Sequence, residues 1–117
     1  LTSLDESDLP RIGFSGDVPS NAVRLARLVQ SAGLRGVVAS PREIAALREA
    51  CGPELVILTP GIRPAGGDAG DQRRTMTASE AIRAGADYIV VGRPITGARD
   101  RRAAAMGVID EIARAAS

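Results

Sequence analysis

The residues best suited to chemistry sit in one long, glycine-rich segment. Thr59-Pro60-Gly61-Ile62-Arg63-Pro64-Ala65-Gly66-Gly67-Asp68-Ala69-Gly70-Asp71-Gln72-Arg73-Arg74 follows the apolar run Leu55-Val56-Ile57-Leu58. In α/β folds, ligands bind where strands end at their carboxyl side. Glycines let backbone N–H groups approach an anion closely, and the planar fork of Arg63 suits a phosphate. A plain solvated loop is the other reading of the same composition. A second candidate, Gly92-Arg93, follows the run Tyr88-Ile89-Val90-Val91 at a turn that opens a short helix. A helix start offers unpaired N–H groups, and glycine removes a side chain that would block an anion. Barrels often hold phosphate after their last two strands, which here precede Arg63 and Arg93. Two such turns in consecutive units point to phosphate more firmly than either does alone.

The remaining candidates carry less. Cys51 falls on the apolar stripe of a helix and reads as a small core residue. Arg101-Arg102, Arg73-Arg74 and Asp5-Glu6-Ser7-Asp8 read as solvated faces, and Asp87 as a turn residue before a strand. No pair of carboxylates forms an acid/base couple. The chain has no His, which excludes His-based metal sites and Ser-His or Cys-His catalysis. All 15 basic residues are Arg, balanced by 14 acidic ones to a net charge of +1. That balance, with Phe14 and Tyr88 the sole aromatics, argues against nucleic acid as a partner. No apolar run approaches the ~20 residues of a membrane helix. One cysteine allows no internal disulfide, which fits the cytoplasm.

The elements that must position these residues alternate between β-like and helical patterns. Leu1 to Leu4 reads as the end of a strand, and Asp5 to Ile12 as a short helix. From Pro19 to about Ser31, Ala22, Leu25, Ala26 and Val29 recur at helical spacing. Gly36-Val37-Val38-Ala39 is a strand buried on both faces. Ser40-Pro41-Arg42-Glu43 reads as a capping box opening a helix that closes at Gly52-Pro53. Thr77-Ala78-Ser79-Glu80 is a second capping box, closed by Gly85. Asp87 to Val91 is the last strand, and a final helix runs from Arg101 to about Ala115. Four β/α units in series imply an α/β fold with a parallel sheet under helices. The 117 residues are about half of a (β/α)8 barrel of ~250 residues. A half barrel and an open four-stranded sheet both satisfy this pattern.

At these residues the sequence resembles the bacterial orotidine 5′-phosphate decarboxylases. The likeness runs along essentially the whole chain. It rests on Leu1-Thr2-Ser3, Gly36-Val37-Val38-Ala39-Ser40, Thr59-Pro60-Gly61-Ile62-Arg63-Pro64, Gly70-Asp71-Gln72-Arg73, Met76-Thr77, Ala84-Gly85-Ala86-Asp87-Tyr88 and Val91-Gly92-Arg93-Pro94-Ile95-Thr96. The resemblance implies a carboxy-lyase of pyrimidine (UMP) biosynthesis, converting orotidine 5′-phosphate to UMP and carbon dioxide. It implies a TIM (β/α)8 barrel in which residues 1–117 supply strands five to eight, a (β/α)4 half barrel. It also implies a cytoplasmic homodimer needing no cofactor or metal. By position, Arg63, Gln72, Gly92 and Arg93 match nucleotide-phosphate contacts, and Thr2 matches a residue near the pyrimidine. Gln72 falls on the loop that links the phosphate to the base.

The family's catalytic Asp and Lys residues lie on early strands, so no catalytic residue is expected in this chain, which has no Lys. Opening on Leu1 instead of Met, it reads as a fragment or a processed chain whose partner is the amino-terminal half of the barrel. Taken alone it is expected to be inactive, and its exposed strand edges to favour self-association. A non-catalytic phosphate-binding half barrel, split or engineered, is the alternative. Another phosphate-binding barrel, such as an epimerase or ribose-phosphate lyase, is a third reading, opposed by Asp71-Gln72-Arg73.

Overall fold

A computed structural model describes residues 1–64 and 75–117. Among the described residues three parallel strands, β1 (Gly36–Val38), β2 (Val56–Thr59) and β3 (Tyr88–Ile89), form one sheet in the order β1-β2-β3. Val37 pairs with Ile57, and Val38 with Leu58. Leu58 pairs in turn with Tyr88, and Thr59 with Ile89. Parallel neighbours require a crossover, and each crossover here contains a helix. The helices are α1 (Val18–Ser31), α2 (Ile44–Cys51), α3 (Ala78–Ala84), the single turn α4 (Arg93–Thr96) and α5 (Arg101–Ala116).

The helices cover one face of the sheet. On that side Ile57 and Thr59 are fully buried, Ile57 packing in a core with Ala26 of α1, Ile44 and Leu47 of α2, and Ala78 and Ala81 of α3. Val108 and Ile112 of α5 pack against the same core. Each fully buried Leu or Ile contributes about 1.5–3 kcal/mol through removal from water. Strand side chains alternate, so Val38, Leu58, Tyr88 and Val90 point to the opposite face. There Val38 is 64%, Tyr88 62% and Val90 46% exposed. An open α/β sheet carries helices on both faces; a barrel carries them outside only. The one-sided layer and the sequential strand order are those of a barrel segment.

Local expectations met mixed outcomes. Asp17 caps α1, accepting from the Ser20 N–H at 2.8 Å, and Glu6 accepts from the Val18 N–H at 3.0 Å. The capping box at Thr77 is present: the Glu80 N–H donates to Thr77 Oγ1 and the Thr77 N–H to Glu80 Oε2 at 2.8 Å. The box at Ser40 is absent. Pro41–Glu43 forms a 3-10 turn, α2 begins at Ile44, and the Ser40 hydroxyl is buried without a partner. The Glu43 N–H, which a box would offer to the Ser40 hydroxyl, donates instead to the Ser40 carbonyl at 3.0 Å, and Glu43 itself is buried at 3% exposure. Leu1 to Leu4 is a turn and not a strand, closed by the Leu4 N–H to Leu1 carbonyl bond. Asp5 to Ile12 yields only a 3-10 turn at Pro10–Ile12. The last strand is shorter than Asp87–Val91, although the Val90 N–H still donates to the Thr59 carbonyl.

Candidate functional site

The carboxyl ends of adjacent strands collect the candidate residues. Beyond β2, Pro60 leads into Gly61, whose φ of 76° is a left-handed conformation that glycine adopts without a Cβ clash. This turn sends Ile62 into the core at 1% exposure. Ile62 forms an isolated parallel bridge with Met76. The Arg63 N–H donates to the Met76 carbonyl at 3.0 Å, and the Met76 N–H to the Gly61 carbonyl at 3.4 Å. Both flanks of residues 65–74 are therefore pinned side by side. Arg63 is half-buried, and its guanidinium donates to the Ile62 carbonyl at 2.9 Å. That bond holds the head of the side chain close to the strand end.

One strand over, Gly92 and Arg93 follow β3 and open α4, as the sequence predicts. The Ile95 and Thr96 N–H groups both donate to the Gly92 carbonyl, at 2.9 and 3.0 Å. A Cβ on Gly92 would meet nothing within 4 Å, so the packing of this chain does not demand glycine there. Arg93 is exposed at this rim.

Thr2 lies beside β1, the strand farthest from β3. It lines an open apolar groove of about 350 Å³ together with Leu25, Val37, Val38, Ser40 and Glu43. The carboxyl rim thus carries Arg63 beyond β2 and Gly92 and Arg93 beyond β3, while Thr2 shares a groove with β1. Gln72 lies outside the described residues. No group of His, Cys, Asp or Glu among the described residues is arranged to hold a metal ion. No helix among them is long and apolar enough to cross a membrane.

The opposite end of the sheet holds an arginine that the sequence reading did not single out. Arg48 of α2 donates to the carbonyls of Gly52, Leu55 and Gly85, at 3.0, 2.7 and 2.6 Å, and to Asp87 Oδ2 at 2.8 Å. Asp87 also accepts from the Ile57 N–H at 2.8 Å. Burial alone would raise the Asp87 pKa, but these two donors hold it below the ordinary 3.8. A basic residue in the last turn of a helix closed by glycine was the available signal. Its partners, up to 39 positions away, were not.

The model of the orotidine 5′-phosphate decarboxylase / HUMPS family matches residues 1–108. The chain belongs to this family. It is 59% identical over 113 residues to the orotidine 5′-phosphate decarboxylase of Moorella thermoacetica, covering 96% of this chain and 45% of that protein. With the enzyme of Geobacter sulfurreducens the identity is 54%, over 96% of this chain and 47% of the relative. The crystal structure of the Lactobacillus acidophilus decarboxylase superposes with a TM-score of 0.79 at 34% identity, over 96% of this chain and 46% of that one. That from Pyrococcus horikoshii OT3 superposes with a TM-score of 0.63 at 33% identity, over 81% of this chain and 43% of that one. The family is a carboxy-lyase family, its solved decarboxylases are TIM barrels, and this chain spans about half the length of the relatives it matches.

Proposed function

We propose that residues 1–117 form the carboxyl-terminal part, strands five to eight, of an orotidine 5′-phosphate decarboxylase barrel, and grip the substrate's phosphate. The observation that carries this reading is the delivery of Arg63 and Gly92-Arg93 to the same end of neighbouring parallel strands β2 and β3. In this reading Arg63, Gln72, Gly92 and Arg93 bind the phosphate of orotidine 5′-phosphate and of the product UMP, and Thr2 lies near the pyrimidine. Thr2 shares a groove with Val37 and Val38, which supports a place for Leu1 to Leu4 next to β1 in the assembled barrel. The open face of Val38, Tyr88 and Val90 is then barrel interior, covered by the amino-terminal half. The assembled enzyme is a cytoplasmic homodimer.

The chemistry divides between the halves. The C6–carboxylate bond breaks, carbon dioxide leaves with the carboxylate's carbon, and the electron pair left at C6 accepts a proton. Arg has too high a pKa to act as that donor at neutral pH. The resemblance implies a Lys on an early strand as the donor, and this chain has no Lys, so in this reading the proton comes from the other half. Remote phosphate binding supports the step by ordering the reacting end and excluding water.

The test is to assay residues 1–117 alone and joined to the amino-terminal portion of the Moorella thermoacetica enzyme. Orotidine 5′-phosphate consumption and UMP formation are followed together. Activity only in the joined chain is expected. A folded joined chain that binds UMP without decarboxylating its precursor would favour the non-catalytic phosphate-binding half barrel. Turnover by residues 1–117 alone would overturn the division of labour.

A further inference from the structure

An arginine cluster beside Arg93 has no role in the site described so far. Arg99, Arg101 and Arg102 follow α4 within a few residues and are all exposed. The Gly97 N–H donates to the Arg93 carbonyl and the Ala98 N–H to the Ile95 carbonyl, so the turn that begins with Arg93 closes immediately before Arg99. Helices α4 and α5 are in direct contact. Among the described residues no carboxylate pairs with Arg99, Arg101 or Arg102. The nearest acid in sequence, Asp100, is engaged as the cap of α5, accepting from the Ala103 N–H at 2.9 Å.

This placement is unfavourable on local grounds. Arg101 and Arg102 open α5, whose first turn contains no acidic residue. Cations there face the positive end of the helix dipole, where carboxylates are preferred. Arg99 stands just before the same helix start, with the capping Asp100 as the sole acid between it and Arg101. Local conflicts of this kind are expected where a function maintains them. A concentration of cations at the mouth of an anion site raises the local concentration of an anionic ligand and its rate of encounter.

We infer that Arg99, Arg101 and Arg102 form a cationic collar that steers a phosphomonoester dianion toward Arg93 without gripping it in the bound state. This inference rests on the nucleotide-phosphate reading given above. Steering acts through charge at a distance, and its reach is set by salt. The Debye length is about 30 Å at 0.01 M and about 8 Å at 0.15 M ionic strength.

The experiment uses the joined chain, in which residues 1–117 complete a barrel. Kcat and kcat/KM for orotidine 5′-phosphate are measured from 10 mM to 300 mM ionic strength. The parent is compared with the triple variants R99Q/R101Q/R102Q and R99K/R101K/R102K. The glutamine variant is expected to lose about tenfold in kcat/KM at the lowest salt. It should keep its kcat and converge on the parent as salt rises. The lysine variant should follow the parent, since charge and not guanidinium geometry does the steering. Parallel salt dependences for parent and glutamine variant would overturn the collar, as would a lysine variant that behaves like the glutamine one. An inactive parent would instead remove the decarboxylase reading on which the collar rests, so the two failures are distinguishable.

Discussion

Arg48 and Asp87 meet at 2.8 Å across 39 positions of sequence, at the amino end of the sheet. The contact ties α2 to the start of β3, and through the Ile57 N–H to β2 as well. Gly85 completes the arrangement: a Cβ there would come within 3.2 Å of Arg48 Nε, and its φ of 110° already favours glycine. One guanidinium thus replaces several hydrogen bonds that the turns at Gly52–Leu55 and Gly85–Asp87 leave open.

Arg48→Met should therefore destabilise the fold by about 2 kcal/mol, the scale of several charge-assisted bonds partly offset by exposure. Arg48→Lys should recover little of this. A single ammonium does not present the flat fork that reaches carbonyls on both sides. Denaturant midpoints of the joined chain provide the measurement. Its kcat should hold at temperatures where the variants remain folded, because the clamp and the candidate site lie at opposite ends of the sheet.

Acid should weaken the same junction. The folded-state pKa of Asp87 is lowered, so its contribution is present above the unfolded-state value of about 3.9. That contribution is lost as pH falls through the lower folded value. The stability difference between the parent and Asp87→Asn should be widest above about pH 4.5 and shrink on acidification below 3.8. The pair is partly exposed, with Asp87 at 41%, so the bond to the Ile57 N–H should outweigh the ion pair itself. A difference that stays constant to pH 2 would show that Asp87 does not titrate with unfolding.

Arg93→Ala in the joined chain should weaken UMP binding about 10- to 100-fold, the loss of charge-assisted bonds to a dianion. Binding of uridine, which lacks the phosphate, should change little. Titration calorimetry with both ligands separates a phosphate contact from general damage. Unchanged UMP affinity would remove Arg93 from the site. Arg63→Ala should show the same pattern, since Arg63 stands at the neighbouring strand end.

Val38→Asp asks whether the open face becomes interior. Val38 is 64% exposed in this segment, so in residues 1–117 alone the change should shift stability by well under 1 kcal/mol. In the joined chain it should cost about 3–5 kcal/mol, because an unpaired carboxylate would be buried. Similar small shifts in both chains would mean that the face stays open to water. Residues 1–117 alone should also self-associate in ultracentrifugation, and a clean monomer would contradict the half-barrel reading.

Periodicity and caps made much of the fold legible. Ala22, Leu25, Ala26 and Val29 located α1, and Thr77 with Glu80 located the start of α3. The same cap logic failed at Ser40, where burial of Glu43 and Ser40 took precedence over local capping. Strand ends were harder to read. Apolar composition continues through Val90 and Val91, whereas pairing ends where the neighbour β2 ends. The choice between an open sheet and a barrel segment was beyond composition, because it depends on which sheet face the helices cover. For the site, Arg63 and Gly92-Arg93 were legible as turns after strands. Their arrival at one rim follows from β2 and β3 being parallel neighbours, which is tertiary information. The Arg48 clamp was illegible because its acceptors are backbone carbonyls, which every residue has.

The bridge between Ile62 and Met76 separates the length of the intervening peptide from the geometry of the sheet. Because both flanks are hydrogen-bonded to each other, residues added between them need not move Arg63 or the start of α3. Doubling the length of such a tethered excursion costs only about 0.6 kcal/mol in closure entropy. The position is therefore a natural splice point. Descendants of this sequence can trade this peptide for longer or shorter ones, and so revise what the rim recognises, while inheriting the scaffold unaltered.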